Sequence, residues 1–270
     1  MRKVLSPKHF FVVIISLTSF APLYLMVIMS TQTTEEIFRG LSLTPGAALR
    51  ENLNTVLNPL FFSSYMNSLT VSVSATIICL LFSSMAGYGV VAYKWKLRNA
   101  FYNFVLITMM IPVSLRLIGY LQQMRFMGLS GTLAPLILVW VANGFGVFWM
   151  TQYMKSSLKM EIIESARIDG SGELSTFFKI VVPCIRPALG TLALTIFLWS
   201  WNMYLLPLVM ISNPLQYTIP LFIQTLGTEY RDDYAARITG LMLAIVPLII
   251  VFSLGSKNFI KGLTAGAIKE

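Results

Sequence analysis

Charge, histidine and cysteine are all scarce in this chain. Only 11% of its 270 residues are Asp, Glu, Lys or Arg, while 56% are hydrophobic; soluble domains carry about a quarter charged residues. One histidine, His9, and two cysteines, Cys79 and Cys184, leave no cluster with metal-ligand spacing. Cys79 lies inside an apolar run and Cys184 follows Pro183, so both read as small apolar fillers and no disulfide is expected. His9 stands just before the first apolar run and reads as a side chain snorkelling to an interface. The phosphate-cradling pattern G-x-x-x-x-G-K-S/T is missing, and Ser, His and Asp form no triad. Enzymatic chemistry is therefore not expected of this chain. There is no internal repeat and no low-complexity tract.

What the chain has is apolar length. Mean hydropathy is +0.73. Six stretches, about 10–29, 68–92, 101–119, 133–153, 188–211 and 238–256, approach the ~20 residues a helix needs to cross ~30 Å of hydrocarbon. The fold class expected is all-α: a polytopic membrane protein of six transmembrane helices forming one domain over residues 1–270. The first stretch follows Arg2, Lys3 and Lys8. It is too long for a signal peptide and lacks a small-x-small cleavage site, so it reads as a retained helix kinked at Pro22. With Arg116 at the outer end of the third span, no charge lies near a bilayer centre, where one costs at least ~3 kcal/mol.

The basic residues set the orientation. With the N-terminus inside, inner segments hold 14 of the 20 Lys and Arg: three before the first span, three at 94–98, five in 155–187 and three in the tail, 257–270. The outer loops hold Arg39, Arg50, Arg116, Arg125, Arg231 and Arg237. Six of the 11 acids fall outside, so the inner side carries the whole net +9. Topology thus explains the high pI, and nucleic acid is not an expected partner. Both termini are expected in the cytoplasm.

Within the spans several residues stand out. Ser83 and Gly87 are four apart on the second, a spacing that admits a close helix neighbour. Pro112 follows Met109, Met110 and Ile111 on the third and reads either as a flexing gate or as a static kink. Asn143, Gly144 and Gly146 sit near the middle of the fourth, between Trp140 and Trp149. An amide at that depth should face protein or a water-filled path, and Trp149 reads as an interfacial belt residue. On the fifth, Trp199, Trp201, Asn202 and Tyr204 combine rings with an amide. That combination suits sugar or ordinary aromatic packing, and the two Trp point to different faces. The outer loop 30–67 carries turn signals at Thr44-Pro45-Gly46 and Asn58-Pro59, with a short interfacial helix expected around 61–66. The outer loop 212–237 ends in a polar tip with Glu229, Tyr230, Asp232 and Asp233. Its mix of tyrosine and charge is usual at protein contacts, and a merely solvated loop is the other reading.

Segment 155–187 looks soluble although long apolar runs flank it. It carries five basic and four acidic residues. Leu158, Ile162 and Ala166 give a first helix an apolar stripe. Gly170 breaks that helix in a left-handed conformation. A second helix follows with Leu174, Phe177, Phe178 and Val181 on one face, stopped by Pro183 and Pro187. Two short amphipathic helices at a bend cannot bury both faces in each other, so the unit is expected to dock into a groove on another protein.

The residues Glu164-Ser165-Ala166-x-x-Asp169-Gly170, then Ile180-x-x-Pro183, resemble the E-A-A-x-x-D-G loop of permease subunits of binding-protein-dependent ABC importers. The resemblance runs over the whole chain and is nearest the maltose-type carbohydrate permeases. The stretch 109–112 resembles the family's third helix, 199–204 its W-N-D/E-F/Y signature, and 262–266 its G-L/I-T-A-G ending. The chain departs at Ser165 and Ser171, where Ala is common, and at Met203, where an acid is usual. The resemblance implies a heterocomplex with a second permease, two ATPase subunits and an extracytoplasmic solute-binding protein, in contact with membrane lipid. Its cargo would be a sugar or oligosaccharide. ATP and Mg would be bound by the partner ATPase, with no cofactor in this chain. It further implies that 155–187 fits a cleft on the ATPase, that 229–233 meets the binding protein, and that the sugar site can lie mostly on the second permease. An amino-acid or polyamine importer permease is the alternative within the family. A secondary transporter would want buried carboxylates for ions, and a receptor or scaffold would need no docking loop.

Overall fold

The computed structural model describes residues 7–228 and 231–265. Glu229, Tyr230 and the tail beyond Ala265 lie outside the described residues. The chain opens with α1 (Pro7–Met29), whose first residue is a proline with no N–H to lose; Pro22 lies within it. Its Phe10, Phe11 and Leu17 face outward. Two short helices follow, α2 (Thr34–Arg39) and α3 (Leu49–Val56). A capping box starts α2: Thr33 accepts the Glu36 N–H, and Glu36 accepts the Thr33 N–H at 2.8 Å.

The next helix, α4 (Pro59–Ala92), has 34 residues and at 1.5 Å per residue is about 50 Å long. The interfacial helix expected around 61–66 is its first turns. No break separates the two, and the Asn67 amide at their junction donates to the Leu215 and Tyr217 carbonyls, at 2.8 and 3.0 Å. The third span, expected as one helix, is broken into α5 (Arg98–Met110) and α6 (Val113–Phe126), bent by 105°. Ile111 is extended there, the conformation a following proline favours.

The fourth span is also not one helix. Residues 134–138 form the short α7 (Ala134–Leu138), and α8 (Gly144–Ser157) begins anew. Asn143 is the N-cap of α8, its side chain accepting the Gly146 N–H at 2.7 Å. The expected close approach at Ser83 and Gly87 is present. A Cβ on Gly146 would lie 2.3 Å from the Ser83 Oγ, and one on Gly87 would lie 3.1 Å from the Met150 Cβ.

After α8 the chain runs through α9 (Met160–Ile168), α10 (Glu173–Thr176), a π-helical turn (Phe177–Val181) and α11 (Val182–Cys184) into α12 (Arg186–Trp201). The fifth span ends earlier than expected. The Asn202 amide donates back to the Leu198 carbonyl at 2.8 Å and closes α12, and α13 (Leu205–Met210) is a separate piece. Residues 212–237 are not all loop: α14 (Ile219–Gln224) lies among them with Ile219, Phe222 and Ile223 buried. A two-residue hairpin, β1 (Gly227–Thr228) with β2 (Arg231–Asp232), follows. The last helices are α15 (Tyr234–Ala244) and α16 (Val246–Ala265). Asp233 caps α15 by accepting the Ala236 N–H at 2.9 Å.

Among the described residues, three helical stretches are long and apolar enough to cross a membrane: Phe10–Met29, Pro59–Ala92 and Tyr234–Gly255. The bent pairs α5 with α6, and 173–184 with α12, raise that number to as many as five. Six unbroken spans were expected. Proline and asparagine turn several apolar runs into jointed pieces.

The chain forms two compact units, Met1–Phe62 with Leu221–Pro247, and Ser63–Pro220 with Leu248–Glu270. In the first, α15 lies against α1, α2 and α3, and the buried Asn52 amide bridges the Ser30 and Gln32 carbonyls at 2.9 Å each. In the second, the core joins α4, α8, α9 and α12 through Cys79, Met150, Ile163, Phe177, Ile185 and Leu192. Cys79 is buried, Cys184 is exposed, and both are free.

Candidate docking site on segment 155–187

The segment leaves the core at Leu158, a buried residue that closes α8. On α9 the buried stripe is Ile163 and Ala166. Ile162 faces out, so the stripe expected from Leu158, Ile162 and Ala166 is rotated by one residue. The reason is that Leu158 and Lys159 are extended, which resets the helical phase. Glu164, Ser165 and Asp169 are exposed. The Ser165 hydroxyl donates to the Glu161 carbonyl at 2.8 Å, so a serine there adds no unmatched polar group.

Gly170 has φ +78°, as the sequence predicted. The Ser171 N–H donates to the Ala166 carbonyl at 2.9 Å and the Gly170 N–H to the Arg167 carbonyl at 3.1 Å. This paired closure is a Schellman end, which needs a left-handed residue between its donors. Nothing lies within 4 Å of a Cβ built on Gly170, so backbone conformation, not space, demands glycine.

Across that bend, the Arg167 guanidinium grips the Glu173 carboxylate from both ends, Nε to Oε1 at 3.0 Å and a terminal nitrogen to Oε2 at 3.4 Å. The Tyr93 and Tyr88 hydroxyls donate to the same Oε2, and the guanidinium lies 4.9 Å from the Tyr93 ring centroid. Hydrogen bonds from Tyr93 and Arg167 hold the Glu173 carboxyl below its ordinary range. The Glu173 carboxylate in turn raises the Arg167 value. The end of α4 is thereby tied to the bend.

Past the bend, Phe177 and Val181 are buried, with the Phe177 ring 5.6 Å from that of Tyr88. Leu174 and Phe178 share the sequence's predicted face yet are 65% and 53% exposed. The π turn spreads that face in two directions. Pro183 and Pro187 do not stop the helix. Each sits in the first turn of the next one, α11 and α12, where the lost N–H costs nothing. Ile180 is half-buried and Pro183 exposed. The segment is therefore two-faced. One side is keyed into its own core, and the other presents Ile162, Ile168, Leu174 and Phe178 beside the Glu164 and Asp169 carboxylates. An apolar patch with charges at its edge has the composition of a contact surface.

The other candidate residues do not converge on one face. Trp199 is 47% exposed and 5.0 Å from the Phe145 ring, whereas Trp201 is 2% exposed and packs on Phe197 and Tyr65. Asn202 and Tyr204 lie in the turn between α12 and α13. Trp149, expected in an interfacial belt, instead donates its indole N–H to the Ala188 carbonyl at 3.1 Å. At the polar tip, Asp233 caps α15 and accepts the Thr34 hydroxyl at 3.2 Å, and Asp232 pairs with Arg237.

Residues 79–265 match the family described as "Binding-protein-dependent transport system inner membrane component". The chain belongs to that family. As an inner membrane transport component it is 31% identical to the arabinooligosaccharides transport system permease protein AraQ of Bacillus subtilis (strain 168), over 96% of this chain and 94% of that one. It is 32% identical to the lactose transport system permease protein LacG of Rhizobium radiobacter, over 95% and 94%. Its fold is similar to a chain in the crystal structure of a bacterial ABC transporter involved in the import of the acidic polysaccharide alginate, with TM-score 0.78, 22% identity, and coverage of 93% and 95%.

Segment 155–187 of this transport component rests on residues that motif reading passed over: Tyr88, Tyr93, Arg167 and Glu173. One signal was available. Arg167 and Glu173 stand three residues to either side of Gly170 with opposite charge, the spacing that a reversal brings together.

Proposed function

We propose that this chain is the permease subunit of an ATP-driven importer for a sugar or oligosaccharide. It would form the pathway with a second permease and receive cargo from a solute-binding protein. ATP and Mg belong to separate ATPase subunits, onto which segment 155–187 docks. Both termini and that segment lie on the cytoplasmic side. The observation that carries the reading is the two-faced loop: four exposed apolar side chains and two free-standing carboxylates on a base locked to the spans by Phe177, Val181 and the Glu173 pair. The carbohydrate class is supported by the named cargo of the relatives, arabinooligosaccharides and lactose. The placement of Asn143, Trp199, Trp201, Asn202 and Tyr204 on different faces favours a sugar site held mostly by the partner permease.

The test is Glu164→Lys. Glu164 is exposed on α9 and makes no contact that holds α9 in place, so the spans should fold. Losing one member of a charge pair that becomes desolvated on docking costs about 2–5 kcal/mol. The ATPase should fail to co-purify, and ATP hydrolysis stimulated by loaded binding protein should collapse in liposomes. Parent-like stimulation would remove this segment as the coupling element.

A further inference from the structure

Where α4 ends and α5 begins, the surface holds an open groove of about 560 Å³ lined by Ala86, Gly89, Val90, Tyr93, Lys94, Trp95 and Phe101. That volume lies within the ~300–1,000 Å³ of small-molecule sites. Its floor is bare at Gly89, where nothing stands within 4 Å of a built Cβ. The Trp95 indole forms one wall, 42% exposed, fixed by its N–H donating to the Gly89 carbonyl at 3.3 Å and by the Phe101 ring at 5.8 Å. Beside it is a second, polar hollow of about 260 Å³ lined by Lys94, Trp95, Lys96, Arg98 and Asn99.

The charge is one-sided. Residues 86–103 contain three cations and no acid: Lys94 lines both the groove and the hollow, and Lys96 and Arg98 line the hollow. The first turn of α5 also has no acidic residue and no side-chain cap, so its dipole adds to the positive field. The carboxylate that reaches the groove wall, that of Glu173 on Tyr93, is already held by Arg167. An apolar trough opening onto a cationic hollow, with an indole at the junction, matches a molecule with an acyl tail and an anionic head. Basic pockets on the cytoplasmic side of transmembrane helices select anionic lipid head groups in this way, and tryptophan settles at the headgroup level.

We infer that this site binds one anionic phospholipid of the cytoplasmic leaflet, its acyl chain along Gly89, Val90 and Phe101 and its phosphate on Lys94, Lys96 and Arg98. The occupant also lies against Tyr93, which holds Glu173 of the docking loop, so it buttresses the coupling segment from the membrane side. The side of the membrane rests on the orientation in the reading above; the lipid chemistry rests on the groove.

The experiment uses the assembled transporter in nanodiscs of phosphatidylglycerol or phosphatidylcholine, each with brominated acyl chains that quench tryptophan. Subtracting the signal of Trp95→Phe isolates the Trp95 emission. Each cation near an anionic surface contributes about fivefold in partition, equivalent to about 1 kcal/mol. The Trp95 emission should therefore be quenched at a several-fold lower fraction of phosphatidylglycerol than of phosphatidylcholine. Lys94→Gln, Lys96→Gln and Arg98→Gln together should abolish the preference, and Lys94→Arg with Lys96→Arg should retain it. Equal quenching by the two lipids overturns the site. So does quenching by neither, which means that another subunit fills the groove, and so does a preference that survives the triple variant. Orientation is scored separately, by impermeant thiol labelling of Leu97→Cys in a Cys184→Ser background. Labelling from outside would break the orientation while leaving a lipid preference, read with both leaflets open, to stand or fall alone.

Discussion

Arg167 and Glu173 meet at 3.0 Å across the left-handed Gly170, so that the two arms of segment 155–187 are clasped by one ion pair. The Glu173 side chain is half exposed, and exposed pairs contribute only about 0–1 kcal/mol to stability. The clasp therefore holds shape more than it holds the fold.

Glu173→Gln and Arg167→Gln should each leave assembly intact, with a loss of stability of ~1 kcal/mol or less, while ATP hydrolysis stimulated by binding protein falls severalfold. Because the folded Glu173 carboxyl is held below its unfolded value, its contribution is complete above the ordinary carboxylate range and lost as pH falls through the folded value. Hydrogen-exchange protection at 160–184, measured relative to the intrinsic rate at each pH, should therefore fall on acidification in the parent and stay flat in Glu173→Gln. Identical profiles would show that the carboxylate does not order the loop.

Gly170→Val should uncouple the ATPase. The left-handed conformation costs a side-chain residue about 1–2 kcal/mol, and a β-branched one sits there worst. Open space around the site makes conformation the whole effect, so Gly170→Asn, which tolerates positive φ, should keep most of the co-purifying ATPase. If Asn and Val are equally damaging, crowding against a partner and not backbone geometry is the cause.

Gly146→Ala should destabilise by about 1–3 kcal/mol through overpacking, since its Cβ would fall 2.3 Å from the Ser83 Oγ. Ser83→Ala should recover part of that loss in a double-mutant cycle read by thermal unfolding in detergent. Additive effects would mean that α4 and α8 do not pack at this point.

Asp233→Ala should cost about 0.5–2 kcal/mol by removing the cap of α15. Asp232→Asn leaves that cap in place, so any loss of response to binding protein in it reports contact. A response unchanged in Asp232→Asn and lowered in Asp233→Ala only in step with stability would make the tip structural.

The helical class, the bent charged segment 155–187 and the glycine at its bend were legible because each has a local cause: apolar run length, an alternation of charge inside apolar flanks, and a residue that tolerates positive φ. The joints were not. Asn143 read as a mid-helix amide, yet it caps α8, because asparagine serves equally as a cap and as a polar lining and only the neighbouring backbone decides. Pro112 read as a flexing gate or a static kink within one helix, yet it separates two helices at 105°. Trp149 read as a membrane-interface residue, but its partner Ala188 lies 39 residues away, a pairing that no local pattern encodes. The same distance hid the tyrosine contacts to Glu173, 85 and 80 residues apart in sequence.

The corner at Ile185 turns the chain by 82° between 173–184 and α12. Hydrogen bonds flank it on both sides, from the Ile185 N–H to the Val181 carbonyl at 3.1 Å and from the Leu189 N–H to the Ile185 carbonyl at 3.0 Å, and the Ile185 side chain is fully buried. A corner packed this tightly leaves little room to absorb a thrust. Packed helices shift as stiff pieces between discrete arrangements, so a displacement delivered at Phe178 would be turned like the arm of a bell crank and would run along the ~24 Å of α12 toward the turn that carries Asn202 and Tyr204.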